Sequence, residues 1–306
     1  MILTARKRIY CFIFIVILLV LILPGLFLAN KAMNAYLSQD SVKSELREKL
    51  TEKINQEVRF EDIVFSMLPW PHIEFLDAEV ILESEWGNIT SPELHIYPHI
   101  MPLLKGQWKS KKVLLAKPGL NLPNLNPLSF VHIDPETSLK KTIGLMLDDL
   151  SLPDESILLK VEQGKIKTKP GKYSEITLEN ISLNFSAEKD TFQMDLKFDS
   201  NMCEKISLTA DFNLKDKTGT ADLSVKGLRS RQIVNEYYSD FPFSIQDGLA
   251  DMRIALKWAG ESHWQSDVLL KFPLLRLSIA NNEFTYPDQY ISLKVDTGPK
   301  AFSLEL

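Results

Sequence analysis

The hydrophobic positions of the chain follow three patterns in succession, and the first is an uncharged apolar run, Tyr10–Ala29. A membrane-spanning helix needs roughly 20 such residues, because the hydrocarbon core is about 30 Å thick and a helix rises about 1.5 Å per residue. Basic residues occupy positions 6–8, and no acidic residue precedes Asp40. The positive-inside rule therefore predicts a cytoplasmic N-terminus at residues 1–8, a transmembrane anchor at residues 9–29, and the remaining chain across the membrane.

A cleaved signal peptide is the alternative interpretation of this segment. The apolar part of a signal peptide is usually about 7–15 residues long and ends at a small-x-small cleavage site. The run in this chain is longer, and Leu28-Ala29-Asn30 and Ala32-Met33-Asn34-Ala35 match such a site poorly. We therefore prefer the anchor, and both interpretations place residues 30–306 outside the cytoplasm.

The second pattern is a four-residue period over residues 38–55, which predicts an amphipathic helix. Its apolar positions are Val42, Leu46, Leu50 and Ile54. Acids and bases are mixed on the polar face, whereas a helix lying on a membrane surface would carry mainly bases there. We therefore expect this helix to cover one end of the sheet that follows, rather than to lie on the membrane.

The third pattern is a period of two, which begins near Val58 and is typical of strands with one apolar and one polar face. It is cleanest in Phe192–Phe198 and Ile206–Leu214. Short turns rich in Gly, Asn, Asp and Lys separate the strands, so we expect an antiparallel meander. The predicted fold class is mainly β with short helices: a transmembrane helix followed by a long antiparallel sheet. In the predicted strand 73–82, the alternation places four apolar side chains on one face: Leu76, Ala78, Val80 and Leu82.

Residues 126–156 interrupt the strand pattern. Asp134 and Pro135 suit the start of a helix, because aspartate caps the first turn and proline fits within it. The apolar face of this predicted helix consists of Leu139, Ile143, Met146 and Leu150. We predict a helical insertion at residues 126–156, between an N-terminal helix and sheet at 30–125 and a continuing antiparallel sheet at 157–306.

Two further features concern how the later part of the sheet is built. Gly219–Val225 resembles Gly248–Ile254, which indicates either a repeat or two hairpins with similar turns. The strand pattern Ala301–Leu306 has no turn after it. A sheet that stops on an apolar edge invites aggregation. We therefore expect this strand either to close a barrel or to continue into a longer sheet.

Composition narrows the classes of partner. The net charge is −5, and removing the three cations before the anchor leaves −8 on the exported part. An acidic domain without a cluster of lysines and arginines binds nucleic acid and anionic membranes poorly. Cys11 lies in the apolar run and Cys203 far along the chain. We therefore expect no disulfide between them.

No sequence motif indicates catalysis or a cofactor. The chain lacks the Gly-x-Ser-x-Gly motif, a phosphate-binding loop and a dinucleotide-binding motif. His95 and His99 have the i, i+4 spacing of metal ligands on a helix, but they flank Pro98 in strand-like sequence. We therefore expect no enzyme activity, no cofactor and no metal ion.

Short motifs between residues 29 and 125 occur in a distinctive order. The predicted anchor and helix are followed by Pro69-Trp70-Pro71, by Pro102-Leu103-Leu104-Lys105-Gly106, and by a strand that ends at Pro118. This order of strand, Pro-x-Pro, strand, Pro-Leu-Leu-x-Gly and strand resembles the N-terminal region of the AsmA-like family of bacterial envelope proteins. The later block Pro242–Gly248 resembles the turn-strand units of that family.

The resemblance implies an inner-membrane anchor and a periplasmic β-sheet curled into a long open groove. Such bridge-like proteins are thought to carry phospholipid between the inner and outer membranes, or to influence outer-membrane assembly. An antiparallel sheet suits this task, because its backbone is fully paired and one face can be apolar throughout. The resemblance therefore implies phospholipid as the ligand and outer-membrane homeostasis as the role.

Two hypotheses about the alternating strands remain open. The apolar side chains either line a lipid-binding groove, or form the core of a closed sandwich in an anchored scaffold that binds protein partners by sheet-edge addition. The resemblance favours the groove. The candidate lipid-groove residues are Phe192, Met194, Leu196, Phe198, Ile206, Leu208, Ala210, Phe212, Leu223 and Val225.

Overall fold

The computed structural model describes residues 27–54, 56–67, 70–81, 88–99, 110–122, 156–169, 174–237, 243–260, 263–279, 282–298 and 301–305. The predicted N-terminus at 1–8, most of the predicted anchor at 9–29, and residues 126–155 of the predicted insertion lie outside this set. Within it, no helix combines the length and apolar character needed to cross a membrane.

The described residues form three helices and sixteen strands. Helix α1 covers residues 27–37, α2 is Asp40–Ile54, and α3 is Ser230–Tyr237. The first strands are β1 (Glu57–Arg59), β2 (Asp62–Ser66), β3 (His72–Ile81), β4 (Asn88–Pro98), β5 (Ser110–Ala116), β6 (Gly119–Leu122), β7 (Ile157–Thr168) and β8 (Ile176–Glu188). The remaining strands are β9 (Thr191–Ser200), β10 (Cys203–Asn213), β11 (Thr218–Arg229), β12 (Phe243–Asp247), β13 (Leu249–Ala259), β14 (Trp264–Ile279), β15 (Asn282–Gly298) and β16 (Ala301–Glu305).

All sixteen strands belong to one long sheet, so the mainly-β prediction is confirmed. The strand order is β1-β3-β4-β5-β7-β8-β9-β10-β11-β13-β14-β15-β16. Strand β2 pairs with β3, β6 with β4 and β7, and β12 with β14. Neighbours in sequence are therefore neighbours in the sheet along most of its length, as expected for a meander.

The sheet is mixed, and in this respect the prediction of a purely antiparallel sheet is wrong. Strands β5 and β6 both run parallel to β7, with Val113 beside Leu159 and Leu120 beside Ile166. The other pairings are antiparallel. Parallel neighbours need a crossover of a dozen or more residues. Residues 123–156 provide that length of chain between β6 and β7.

A line of backbone irregularities crosses the sheet from β3 to β11. The residues with positive φ along it are Asp77, Lys117, Gln163, Asn180 and Gly227, at φ values between 48° and 62°. The ladders of β7, β8, β10 and β11 shift register at the same level. Bulges of this kind insert an extra residue and change which face the following side chains occupy.

The effect of this change is clearest in β3. Phe75 and Ala78 are three residues apart, yet both lie in one buried cluster, because Asp77 between them has a φ of 48°. Simple alternation would have placed Ala78 on the same face as Leu76 and not on that of Phe75, and that expectation is wrong. Val80 also packs against the cluster. The irregularity thus keeps the apolar side chains of both halves of the strand on one face.

The buried core lies at the N-terminal end of the sheet, under the helices. Its members are Leu37, Val58, Phe60, Ile63, Phe65, Phe75 and Ala78. Three of the residues that the four-residue period places on one face of α2, namely Val42, Leu46 and Leu50, pack against it. Helix α2 therefore covers the first strands of the sheet.

Polar contacts fix the helices to the same strands. The Asn34 side chain makes two hydrogen bonds with the backbone of Phe65, at 2.9 and 2.6 Å, as a neighbouring strand would. Lys43 forms an ion pair with Asp62 at 2.8 Å and holds the pKa of that carboxyl below its usual value. Arg47 donates to the carbonyl of Phe60 at 2.6 Å.

Candidate functional site

One row of apolar side chains crosses the sheet on a single face. Cross-strand partners in a ladder point to the same side of a sheet. Following these partners from β2 to β15 gives twelve residues from twelve strands, none of them polar. They are Ile63, Phe75, Leu94, Leu115, Val161, Leu183, Leu196, Leu208, Leu223, Ile254, Val268 and Leu293.

The row is long on the scale of a lipid. Eleven steps of about 4.8 Å between neighbouring strands give a length of about 50 Å. A second apolar row runs beside the first, through Phe65, Ile73, Ile96, Val113, Leu159, Phe185, Met194, Ala210, Ala221 and Leu256. The two rows together form a continuous apolar band, which we call the apolar face.

The structure places all ten candidate groove residues on this face. They lie on β9, β10 and β11 and meet as register partners, for example Leu196 with Leu208 and Leu208 with Leu223. Phe212 and Val225 are 5% and 4% exposed, and the other eight are half-buried. The alternating sequence pattern therefore identified the middle part of the apolar face, on β9, β10 and β11.

The ten candidate groove residues cover only part of the apolar face, because this face extends well beyond β9, β10 and β11. The alternation in β8, β13 and β14 carries the same signal, but the sequence does not show which strand lies beside which. The additional residues nearest the candidates are Leu183, Phe185, Ile254, Leu256 and Val268.

The strands in the middle of the apolar face contact mainly their neighbours within the sheet. The substantial contacts of β8, β9 and β10 are with neighbouring strands of the same sheet. The side chains of Leu196 and Leu208 are half-buried, so part of each remains accessible to solvent. All sixteen strands belong to one sheet, so the described strands do not divide into the two separate sheets of a sandwich.

A ladder of aromatic rings borders the apolar face on one side. Phe185, Phe192 and Phe212 follow one another on β8, β9 and β10, with ring centroids 5.9 and 5.6 Å apart. Phe212 then meets Trp258 edge-on at 5.3 Å. Trp258 belongs to β13, so this contact crosses over β11, where the register partner of both rings is Gly219. The contact between Phe212 and Trp258 is possible because Gly219, between them on β11, has no side chain.

Replacing Gly219 with alanine is expected to lower the free energy of unfolding by about 1–3 kcal/mol, the usual cost of overpacking. A β-carbon there would lie 2.3 Å from Cδ2 of Phe212 and 2.6 Å from the carbonyl oxygen of Asp211, which is backbone and cannot move aside cheaply. Urea titration followed by tryptophan fluorescence measures the change. Thr220→Ala, at the exposed neighbouring position, is the control and should change stability little.

The opposite face of the sheet is polar and solvated. Its cross-strand pairs include Arg253 with Asp222 at 2.6 Å and Gln265 with Asp296 at 2.9 Å. A depression of about 720 Å³ on this face is lined by both polar and apolar residues, and its polar groups include the carboxylates of Asp195, Asp211, Asp222 and Asp267. Carboxylates repel hydrocarbon, so this depression is unsuited to acyl chains.

Cys203 is a free thiol in the described chain and is 1% exposed. Burial raises its pKa, and the charge of Asp199 adds to this effect. A buried thiol of raised pKa is poorly reactive. Cys203 therefore packs as a small apolar side chain beside the register shift in β10.

Comparisons with known proteins found no relative of this chain. No family model matches the chain, and neither the curated proteins nor the solved structures contain a significant match.

Proposed function

We propose that this protein is anchored in the bacterial inner membrane and binds phospholipid acyl chains on the apolar face of a periplasmic sheet. In this role it helps phospholipid to move between the inner and outer membranes and contributes to outer-membrane homeostasis. The proposal includes membership of the AsmA-like family and a curl of the sheet into an open groove around the apolar face. It assigns no enzyme activity.

The observation that carries the proposal is the unbroken apolar row. Exposed apolar patches above a few hundred Å² mark interaction sites. Here twelve partnered positions from Ile63 to Leu293 are all apolar. Ile63 and Phe75 at the start of the row are buried under the helices, whereas the row from Leu94 to Leu293 is half-buried. An acyl chain can lie along this second part without meeting a polar side chain.

The surface of α1 supports the anchored arrangement. Phe27 and Leu28 are 66% and 64% exposed, and in sequence they belong to the end of the apolar run that predicts the anchor. At the other end of α1, Asn34 is hydrogen-bonded to β2. Since Ile63 on β2 begins the apolar row, the proposed anchor would bring the start of the row close to the membrane.

A second candidate function is an anchored scaffold that binds a protein partner without carrying lipid. It is favoured by exposed apolar side chains on β15, near one end of the sheet. Tyr290 and Ile291 are 71% and 56% exposed, and Phe284 and Tyr286 are each 40% exposed. Aromatic side chains of this kind are enriched at protein interfaces.

Photo-crosslinking in living cells tests the two functions in the full chain. Benzoylphenylalanine is introduced at Leu223, in the apolar row, at Ser224, on the opposite face, or at Tyr290, on β15. We expect irradiation to give a phospholipid adduct at position 223 and none at 224, as detected by mass spectrometry of the purified protein. The neighbouring positions differ only in the face that they occupy.

The adducts also separate the two hypotheses. A protein adduct at position 290, without lipid at 223, would favour the scaffold. Equal lipid labelling at 223 and 224 would contradict binding on the apolar face, because it would report only proximity to a membrane.

A further inference from the structure

We propose that His72, Glu74 and His95 form a binding site for a divalent zinc ion, on the face of the sheet opposite the buried core. This inference is independent of the proposed function. It replaces the expectation of no metal ion, which considered only His95 and His99.

The strand register brings the three side chains together. His72 and Glu74 are two residues apart on β3 and therefore lie on one face. His95 is the direct cross-strand partner of Glu74 on β4. One nitrogen of each imidazole and one carboxylate oxygen all lie within 4.8 Å of one another. A tetrahedral zinc site with bonds of about 2.1 Å needs roughly 3.4 Å between ligand atoms, so small side-chain rotations complete it.

Hydrogen bonds leave a lone pair on each imidazole. Nδ1 of His72 lies 2.8 Å from the carbonyl oxygen of Trp70, which can only accept, so Nδ1 carries the proton and Nε2 is unprotonated in the neutral ring. Nε2 of His95 lies 3.4 Å from Glu93, and its Nδ1 is buried without a hydrogen-bond partner. Metal-binding histidines typically donate their second ring nitrogen to a carbonyl or carboxylate in this way.

Neighbouring side chains hold the imidazole rings in place. Tyr97 stacks on His72 with ring centroids 4.9 Å apart. The ammonium of Lys112 lies 5.0 Å from the centroid of the Tyr97 ring. A bound zinc ion would satisfy the buried Nδ1 of His95, which has no hydrogen-bond partner.

The ligand set identifies the class of ion. Two imidazoles and one carboxylate form the protein ligands of many zinc sites that keep a fourth position for water. His72 is buried, whereas Glu74 and His95 are half-buried, so the site faces solvent on one side. Calcium and magnesium prefer oxygen ligands and are disfavoured here.

Zinc titration of the purified full chain tests the site. The protein is prepared in detergent without a histidine tag, stripped with chelator, and titrated with zinc chloride by calorimetry. We expect one ion per chain, and a loss in affinity of roughly 100-fold in His95→Ala and Glu74→Gln. Glu74→Gln keeps the size of the side chain, so it remains informative if the removal of a histidine disturbs folding.

His99→Ala is the matched control, because His99 is close in sequence but is not part of the group. It should change zinc affinity by no more than about twofold. Cobalt provides an independent readout, since coordination by these side chains gives visible absorption bands that Glu74→Gln should alter. The proposal is overturned if zinc does not bind stoichiometrically, or if His99→Ala weakens binding as much as His95→Ala.

Discussion

Replacing Leu196 and Leu208 with aspartate is expected to lower the phospholipid that co-purifies with the full chain by roughly tenfold or more. The two leucines are register partners at the centre of the apolar row, and both are half-buried. A carboxylate without a partner in hydrocarbon costs several kcal/mol, and each 1.4 kcal/mol is about tenfold in affinity. Lipid extraction and mass spectrometry of equal amounts of protein measure the effect.

The control for this experiment changes the other face of the same strand. Ser207 adjoins Leu208 on β10 and is the partner of Lys197 on β9. Ser207→Asp therefore adds one aspartate beside a cation, half the charge of the double variant, and should leave bound lipid unchanged. Circular dichroism of each variant separates lost binding from lost folding. If the folded double variant retains its phospholipid, the apolar face is not the binding surface.

The alternation along each strand was sufficient to predict which residues share a face, but not how the strands are joined. The ten candidates on β9, β10 and β11 come from uninterrupted alternation, and their ladders confirm it. In β3, the positive φ of Asp77 changes the phase, so Phe75 takes the place expected for Leu76. Aspartate adopts this conformation more readily than most residues, but the sequence alone does not mark where it does so.

Contacts between segments far apart in the chain could not be predicted from the sequence for a similar reason. The parallel pairing of β5 and β7 depends on the path of the chain between residues 123 and 156, and periodicity carries no information on that path. The grouping of His95 with His72 and Glu74 depends on the register of β3 against β4. In the sequence, only the two-residue spacing of His72 and Glu74 on one alternating strand indicated that these two side chains share a face.

Phe60→Ala is expected to lower the free energy of unfolding by about 3–5 kcal/mol, the usual cost of removing a buried phenylalanine. Phe60 is 4% exposed and lies between β1 and β2 in the core beneath α2. Its ring meets Phe75 edge-on at 5.2 Å, and the guanidinium of Arg47 lies 4.8 Å from the ring centroid. The substitution therefore leaves a cavity and also removes a contact that holds α2 on the sheet.

Urea titration and limited proteolysis together test this expectation. Phe284→Ala is the matched control, because Phe284 is 40% exposed on β15 and its removal should cost less than about 1 kcal/mol. Since α2 covers the N-terminal end of the sheet, Phe60→Ala should also speed proteolytic cleavage within residues 40–54. If stability falls without faster cleavage there, Phe60 stabilises the strands alone, and the coupling of α2 to the core through Arg47 is wrong.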